Sequence, residues 1–343
     1  MRKLTINLVA GLCLLVILVS ASIASVERLA AMGGLDYLIQ DEQRDVSFNP
    51  AYINRVTGRI NIFRRLWISS VSSGTPDNRS EQEVSQHTLR LWMAPGAYKF
   101  GLEYWPYSMK VTRVSKGHKY TSKQESSGFC FRVGRSFSKF ELGLCYYLQN
   151  TKLIWDSQER STPLSEISLG VLYSVKQNLE IAISGSFESL SSETDGFTED
   201  IWEFRGLVQY DTKWFGTVRF YGGTRSCSLK TGGVERRLNY RRFGIGSKFS
   251  VFSSSIAGIG MTYWGSNDNN HYRAYLRAGL ETPLSDKLDL RVGTMYRFAH
   301  DKWDEQFSDY SGIPTYTMGI GYSLSEKVKD IQLYIQETTH LLS

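Results

Sequence analysis

The stretch LDLRVGTMYRF, Leu288 to Phe298, alternates between two kinds of side chain with a period of two residues. This period is typical of a β-strand, because successive side chains of an extended chain point to opposite faces. One face is aliphatic and aromatic except for Thr294, whereas the other carries Asp289, Arg291 and Arg297. A soluble sandwich and a membrane barrel both produce this pattern, with opposite assignments of inside and outside.

The same pattern recurs along the chain from about Arg59, for example in KFELGLCYYL (139–148) and TYTMGIGYSL (315–324). Short links such as APGA (94–97) alternate with longer polar stretches such as 112–126, 150–163 and 224–236. Bacterial outer-membrane barrels alternate short periplasmic turns with long external loops, and about 9 to 11 tilted residues cross the bilayer. The sequence therefore predicts an all-β, transmembrane, antiparallel up-and-down barrel.

The number of strands is predicted to be about 14, within a range of 12 to 16. A final alternating segment, 331–336, would make fifteen, but single-chain bacterial barrels have an even number of strands. The chain also lacks the aromatic residue with which the last strand of such barrels usually ends. We therefore expect fourteen. Tryptophans near the strand ends beside the longer links predict an interfacial aromatic belt; these are Trp105, Trp155, Trp202, Trp264 and Trp303.

The N-terminal residues have the features of a secretory signal peptide. Arg2 and Lys3 precede an apolar run from about Leu8 to Val19, which is shorter than the roughly 20 residues of a helical span, and small residues follow. We expect cleavage before Ser25, and hence a signal peptide (1–24), an N-terminal segment (25–57), and a barrel (58–343). Export of a barrel of this kind predicts the outer membrane of a diderm bacterium.

The segment before the first strand resembles the N-terminal region of FadL-like and PorV-like outer-membrane barrels. The resemblance is carried by a basic residue at Arg28, by a small turn, by an acidic residue and by Asn-Pro-Ala just before strand one. It covers about twenty-five residues, and the rest of the chain is similar only in its barrel pattern. The motif residues are Gly33, Gly34, Asp41, Asn49, Pro50 and Ala51.

The resemblance implies that residues 25–57 fold into the lumen of the barrel as a hatch. It also implies a passive channel for small hydrophobic compounds, in contact with outer-membrane lipid. The alternative it allows is a non-transporting PorV-like or structural outer-membrane protein that binds a secreted or periplasmic partner protein. A simple periplasmic lead-in, with no hatch, is also left open by the residues.

The polar face of the strands predicts the residues that line the lumen. These candidates are Arg90, Glu103, Arg132, Glu141, Arg205, Arg219, Arg273, Arg277, Asp289, Arg291 and Arg297. In one register of the last hairpins Arg277 would face Arg291 and form an anion site, and in another it would face Asp289 and form an ion pair. A wall that is only rigidified by salt bridges is the simpler interpretation of the same residues.

Two cysteines are predicted to lie opposite each other on the lumenal face of one hairpin. Matching the apolar faces pairs Phe131 with Leu144, which sets Cys130 directly across from Cys145 within disulfide range. An exported protein meets an oxidising compartment, so a disulfide is predicted there, the alternative being two reduced thiols. Cys227 would remain unpaired in an outer loop.

No catalytic, metal or cofactor site is predicted. The five histidines are scattered without metal-ligand spacing, and no Gly-x-Ser-x-Gly motif occurs. The net charge of +6 falls to +4 when Arg2 and Lys3 leave with the signal peptide, and no run of basic residues points to nucleic acid. The composition and motifs therefore favour a barrel that is not an enzyme.

Overall fold

The computed structural model describes residues 32, 35, 42–56, 59–72, 78–94, 96–115, 118–155, 158–192, 196–251, 254–266, 271–286, 288–300, 314–322 and 331–338. The predicted signal peptide lies outside these residues, as do Gly33, Gly34 and Asp41 of the predicted hatch motif. Among the described residues no helix is long and apolar enough to cross a membrane.

Two short helices precede an antiparallel sheet. Helix α1 is Glu42–Phe48, and a 3₁₀ helix, η1, is Pro50–Arg55. The strands are β1 (Arg59–Ser72), β2 (Asn78–Met93), β3 (Tyr98–Ser115), β4 (His118–Phe137), β5 (Phe140–Trp155), β6 (Gln158–Lys176), β7 (Leu179–Ser192), β8 (Phe197–Asp211), β9 (Thr217–Thr231), β10 (Val234–Val251), β11 (Ser255–Ser266), β12 (His271–Ser285), β13 (Leu288–His300), β14 (Pro314–Tyr322) and β15 (Ile331–Thr338).

The strands form one meander in which each pairs antiparallel with its sequence neighbours, from β1 to β15. This arrangement confirms the predicted all-β, up-and-down fold. The described residues contain fifteen strands, which lies within the predicted range of 12 to 16 and is one more than the expected fourteen. The additional strand is β15, which the expectation of an even number of strands excluded. It pairs with β14 from Ile331 opposite Tyr322 to Thr338 opposite Thr315. Within the described residues no pairing joins β15 to β1.

The outward face of the wall carries a band of exposed apolar side chains. On β5 the band runs from Phe140 to Leu148, which are 50% and 42% exposed, and Asn150 and Lys152 follow on the same face. Nine residues rise roughly 30 Å along a strand, and a tilt of about 40° reduces this to roughly 23 Å. Large apolar side chains exposed over this height fit the roughly 25 Å lipid-facing band of an outer-membrane barrel.

Aromatic side chains mark both edges of the band. Tyr98, Phe137 and Phe140 project outward at one edge, and Tyr104 and Trp202 project outward at the other. Aromatic girdles at these two heights are typical of membrane barrels.

Only part of the predicted tryptophan belt is found in these girdles. Trp202 lies in it and is 53% exposed. Trp105 and Trp264 instead share the lumenal face of β3 and β11 and stack on Tyr147 and Tyr240. The belt prediction is therefore wrong for these two residues, because alternation places them in phase with the inward side chains of their strands. The side chains of Trp155 and Trp303 lie outside the described part of the chain.

The longer polar stretches are largely strand, whereas the sequence pattern predicts loops. Strand β3 continues to Ser115 and β4 begins at His118, and Gly232 and Gly233 alone separate β9 from β10. Their outward side chains are polar because these parts of the strands extend past the apolar band. We call this the loop end of the barrel, and we call the opposite end, at links such as Ser138–Lys139, the turn end.

The sheet curves around residues from the N-terminal part of the chain. Ile53 of η1 lies against Gly101 of β3, and Met32 lies against Gly279 of β12. Strands from distant parts of the meander therefore contact one short segment on their concave face, which makes that face the lumen of a barrel.

The outward band gives a direct test of the inside-out assignment. Leu169 of β6 is 63% exposed in the middle of the band, whereas Ser165 has the same orientation at its loop-end edge, opposite Leu148. An arginine costs about 2–4 kcal/mol at the bilayer midplane and about 0–1 kcal/mol near the interface. We expect Leu169→Arg to reduce strongly the folded fraction after refolding into vesicles, measured by heat-modifiable gel migration. Ser165→Arg should refold like the wild type, and equal losses would contradict the assignment.

Candidate functional site

The described residues Glu42 to Val56, which we call the inner segment, lie in the lumen near the turn end. All residues of η1 from Pro50 to Asn54 are buried. The segment folds this way locally because Asn49 caps η1, accepting a hydrogen bond from Ala51 N at 2.9 Å, and Pro50 supplies a fixed dihedral at the first helical position.

Asn49 also fixes the segment to the wall. It is fully buried, and its Nδ2 donates to the carbonyl oxygens of Val171 on β6 at 3.1 Å and Ile183 on β7 at 3.0 Å. These two residues are opposite each other in the ladder. One side-chain amide therefore serves η1 and two strands together, and a buried amide without such partners would destabilise the fold.

Three glycines provide the surface on which η1 lies. Gly134, Gly143 and Gly170 are in register across β4, β5 and β6, and we call them the glycine row. A Cβ at Gly143 would overlap the backbone of Pro50 and Ala51, and one at Gly170 would overlap the Asn49 side chain. The backbone of η1 approaches this closely only because the row has no side chains.

The same cross-strand line continues with side chains that hold the end of α1. Ser184 lies opposite Gly170, and its Oγ donates to Phe48 O at 2.9 Å. Arg205, the next residue in the line, donates from Nη1 to the carbonyl oxygens of Ser47 and Phe48 at 3.2 and 3.3 Å. These bonds satisfy carbonyls at the helix C-terminus that have no partner within the helix.

A fully buried ion pair joins α1 to β9. Arg219 Nη1 and Nη2 donate to the two Asp45 carboxylate oxygens at 2.7 and 2.9 Å, and Arg219 Nε donates to Gln209 Oε1 at 2.8 Å. Arg219 is 0% exposed and Asp45 is 3% exposed. Removing one member of such a pair leaves an uncompensated buried charge, which costs about 3–5 kcal/mol.

Tyr52 and Arg55 form a third fixing point. Tyr52 Oη donates to Glu180 Oε1 at 2.8 Å, and burial raises the pKa of Tyr52 above its ordinary value, which keeps the hydroxyl protonated as a donor. Arg55 Nε donates to Glu141 Oε1 at 2.9 Å and pairs with Glu180 as well. Burial lowers the pKa of Arg55, but these two carboxylates outweigh it and raise the pKa overall.

A cavity of about 290 Å³ lies directly on the loop-end side of the inner segment. Val46 and Ser47 contribute to its floor, and Glu103, Trp105 and Tyr147 are among its walls. Arg90 and Arg132 both bond Glu103, at 2.6 and 2.9 Å. Three of the predicted lumen residues thus form one ion-pair network on β2, β3 and β4.

A second cavity, of about 250 Å³, lies on the side of β9 to β12. Its wall includes Tyr221, whose ring packs edge-on against Phe48 of the inner segment at 6.4 Å. The predicted lumen residues Arg273 and Arg277 line it, and Arg297 lies beside it on β13, opposite Tyr275.

Neither predicted partner of Arg277 is correct. Arg277 lies opposite Met295, and Arg291 lies opposite Glu281, to which its Nε donates at 2.8 Å. Asp289 contacts Arg291 on its own strand at 3.5 Å. The registers differ because β12 continues to Ser285, where it lies opposite Leu288 of β13, and a bulge between Pro283 and Ser285 shifts the pairing.

The predicted direct opposition of Cys130 and Cys145 is wrong. Cys130 lies opposite Tyr147, and Cys145 lies opposite Arg132. The turn is the two-residue Ser138–Lys139 link, with Ser138 at φ 31°, which moves the register by two residues. The thiols are nevertheless diagonal neighbours with their Sγ atoms 3.0 Å apart, and both are free. Cys227 lies on β9, where the sequence predicted a loop, and its thiol donates to Glu199.

Several residues that build the site were not predicted from the sequence. Asp45 and Tyr52 are polar residues in or beside apolar stretches, and only their contacts single them out. The glycines of the glycine row are visible in the sequence, because each interrupts the polar side chains of its strand's lumenal face. That they lie side by side depends on strand register, which the sequence pattern does not give. Within the described part of the chain, no cluster of three His, Cys, Asp or Glu residues could hold a metal ion.

Comparisons with known proteins give a likeness of structure alone. No protein-family model matches the chain. No curated protein matches it in sequence. A Pseudomonas aeruginosa FadL homologue is similar with a TM-score of 0.48 at 11% identity, over 93% of this chain and 95% of its own. The CymD monoaromatic hydrocarbon channel is similar with a TM-score of 0.49 at 10% identity, over 94% of this chain and 98% of its own.

The Pseudomonas putida toluene transporter TodX gives a TM-score of 0.47 at 11% identity, over 90% of this chain and 91% of its own. One of the three carries the name of the family that the N-terminal segment resembles. Because every TM-score lies below 0.5, these likenesses assign neither a family nor a function to this chain.

The glycine row yields a prediction about the inner segment. In Gly143→Ala the new Cβ would meet the backbone of η1, so we expect the segment to loosen and trypsin to cleave after Arg55 several-fold faster. Gly206→Ala, on β8, is the matched control, since its Cβ would meet nothing closer than 4.0 Å. Equal cleavage rates in the two folded variants would show that the row does not hold the segment.

The disulfide stays a prediction that mass spectrometry can decide. The predicted cleavage before Ser25 would leave three cysteines in the chain, Cys130, Cys145 and Cys227. If the diagonal pair oxidises after export, the denatured, unreduced protein should take up one alkylating group, on Cys227, and three after reduction. Uptake of three groups without reductant would show that the pair stays reduced.

Proposed function

We propose that this chain is an outer-membrane barrel of the FadL-like kind, in which residues 25–57 form a hatch at the periplasmic end of a channel for small hydrophobic compounds. The observation that carries the proposal is the position of the inner segment, which lies across the lumen near the turn end and is held there by the wall. Short turns are periplasmic in bacterial outer-membrane barrels, so the hatch would face the periplasm.

The lumen above the inner segment supports small apolar or aromatic compounds as the cargo. The stacked rings of Trp105 and Tyr147, with centroids 5.0 Å apart, lie on one side, and those of Tyr240 and Trp264, also 5.0 Å apart, lie on the other. Ring faces bind apolar solutes by dispersion and by burial of apolar area. The lumen also carries many charges, which would hold its walls in place by ion pairing.

Release of the hatch tests the proposal. Asp45→Ala removes the partner of the fully buried Arg219, so we expect the inner segment to leave the lumen in a larger fraction of molecules. Proteoliposomes that carry this variant should swell several-fold faster in arabinose than those with wild-type protein. Calorimetry of the folded protein with toluene should also detect binding.

The control is the double variant Asp45→Leu with Arg219→Met. Replacement of a buried ion pair by apolar residues of similar volume is often neutral, so the double variant should keep the lumen closed and swell at the wild-type rate. If Asp45→Ala folds but swells no faster than wild type, the hatch proposal is wrong. If toluene does not bind, the proposed cargo is wrong.

The fixing bonds themselves favour a second candidate function. The inner segment is bonded to each of the strands β5 to β9, which would suit a permanently closed barrel that binds a secreted or periplasmic partner protein. That function predicts that neither the wild type nor Asp45→Ala is permeable, and that a partner co-purifies with the folded barrel.

A further inference from the structure

The cavity beside β9 to β12 concentrates arginine side chains that the proposed channel function does not use. Arg242, Trp264 and Arg273 form one line across β10, β11 and β12. The next line toward the turn end contains Tyr275 and, on β13, Arg297. Together with Arg277, two residues farther along β12, four arginines and two aromatic residues therefore occupy neighbouring positions on the lumenal face.

The carboxylates near this cavity form ion pairs with an arginine that is not part of it. Glu281 and Asp289 bond Arg291 at 2.8 and 3.5 Å. Among the described residues, Arg242, Arg273 and Arg297 have no carboxylate within ion-pair distance, and the Nε atoms of Arg273 and Arg297 are buried without a hydrogen-bond partner. Buried donors of this kind normally have an acceptor, so the site favours an anion.

The aromatic rings beside the arginines indicate that the ligand has a flat ring as well as a negative charge. The guanidinium of Arg273 lies over the ring of Trp264 at 5.7 Å, and that of Arg277 lies over Tyr275 at 4.8 Å. Arg277 also donates to Thr262 Oγ1 at 3.3 Å, which fixes its direction. Stacked guanidinium groups keep their N–H edges available, so the cavity wall alternates flat ring surfaces with charged donors.

We propose that this cavity is a binding subsite for a small aromatic carboxylate. The carboxylate would accept hydrogen bonds from the arginine edges, and its ring would stack against Trp264 or Tyr275. A volume of about 250 Å³ is just below the roughly 300–1,000 Å³ usual for ligand pockets, which suits a molecule of one ring. The subsite rests on the proposed function only in requiring that the lumen be open to solutes.

Calorimetry of the full, folded chain in detergent tests the subsite with benzoate as the probe. Benzyl alcohol is the neutral analogue, and inorganic phosphate is the anion without a ring. We expect benzoate to bind at least tenfold more tightly than either. Arg273→Gln and Arg242→Gln should each weaken benzoate binding at least tenfold, because each removes a donor that faces the cavity.

Arg236→Gln is the matched control, since Arg236 lies on β10 six residues from Arg242 and is exposed near the loop end. It should leave benzoate affinity unchanged. Heat-modifiable gel migration establishes that each variant is folded. If Arg273→Gln does not fold, the result for Arg242→Gln decides whether the arginines bind benzoate. Equal affinity for benzyl alcohol, equal affinity for phosphate, or no binding of benzoate to the folded chain would each overturn the proposal.

The two proposals fail separately. Binding measured by calorimetry does not depend on passage through a membrane, so benzoate can bind to a barrel in which Asp45→Ala has no effect on swelling. Conversely, faster swelling of Asp45→Ala without benzoate binding would retain the channel and remove the subsite.

Discussion

A wall that faces lipid must satisfy every backbone hydrogen bond within itself, and this constraint governs the rest of the structure. It requires a continuous antiparallel ladder, which in turn directs alternate side chains to opposite faces. The outward face then carries an apolar band with aromatic edges, and the charged side chains that the structure describes lie in the lumen or beyond the band. Beyond the band, as at Asn150 on β5, the outward side chains are polar and can be hydrated, and the strand pairing continues.

The inner segment is held by the same requirement, met in a different way. Its helices leave backbone groups without partners, and the wall supplies those partners through Ser184, Arg205 and the amide of Asn49. The close approach needs a wall without side chains, which the glycine row provides. Charge then completes the attachment, since Asp45 with Arg219 and Arg55 with Glu141 join the segment to β9 and β5. Arginines that are not used in this way gather on the far side of the lumen around Trp264 and Tyr275.

The sequence predicted much of the wall and little of the site. The alternation in the stretch Leu288 to Phe298 correctly placed Val292 outside and Arg291 inside, where Arg291 is 2% exposed. The partner of Arg291 could not be predicted, because a register shift of two residues preserves both faces and leaves the pattern unchanged. The same ambiguity misplaced Cys130 relative to Cys145. Asn49 was singled out by its motif, and its bonds to β6 and β7 join residues more than a hundred positions apart.

The amino-acid sequence by itself determined the strand period, the lipid-facing surface and the segment that precedes the wall, because each is a local property of side-chain order. The tertiary structure alone decided which charges meet, that three glycines align beneath Pro50 and Ala51, and that Trp105 and Trp264 face the lumen as stacked pairs. These features depend on strand register and on curvature of the sheet. Both are set by turn geometry, bulges and contacts between distant strands, for which a period of two carries no information.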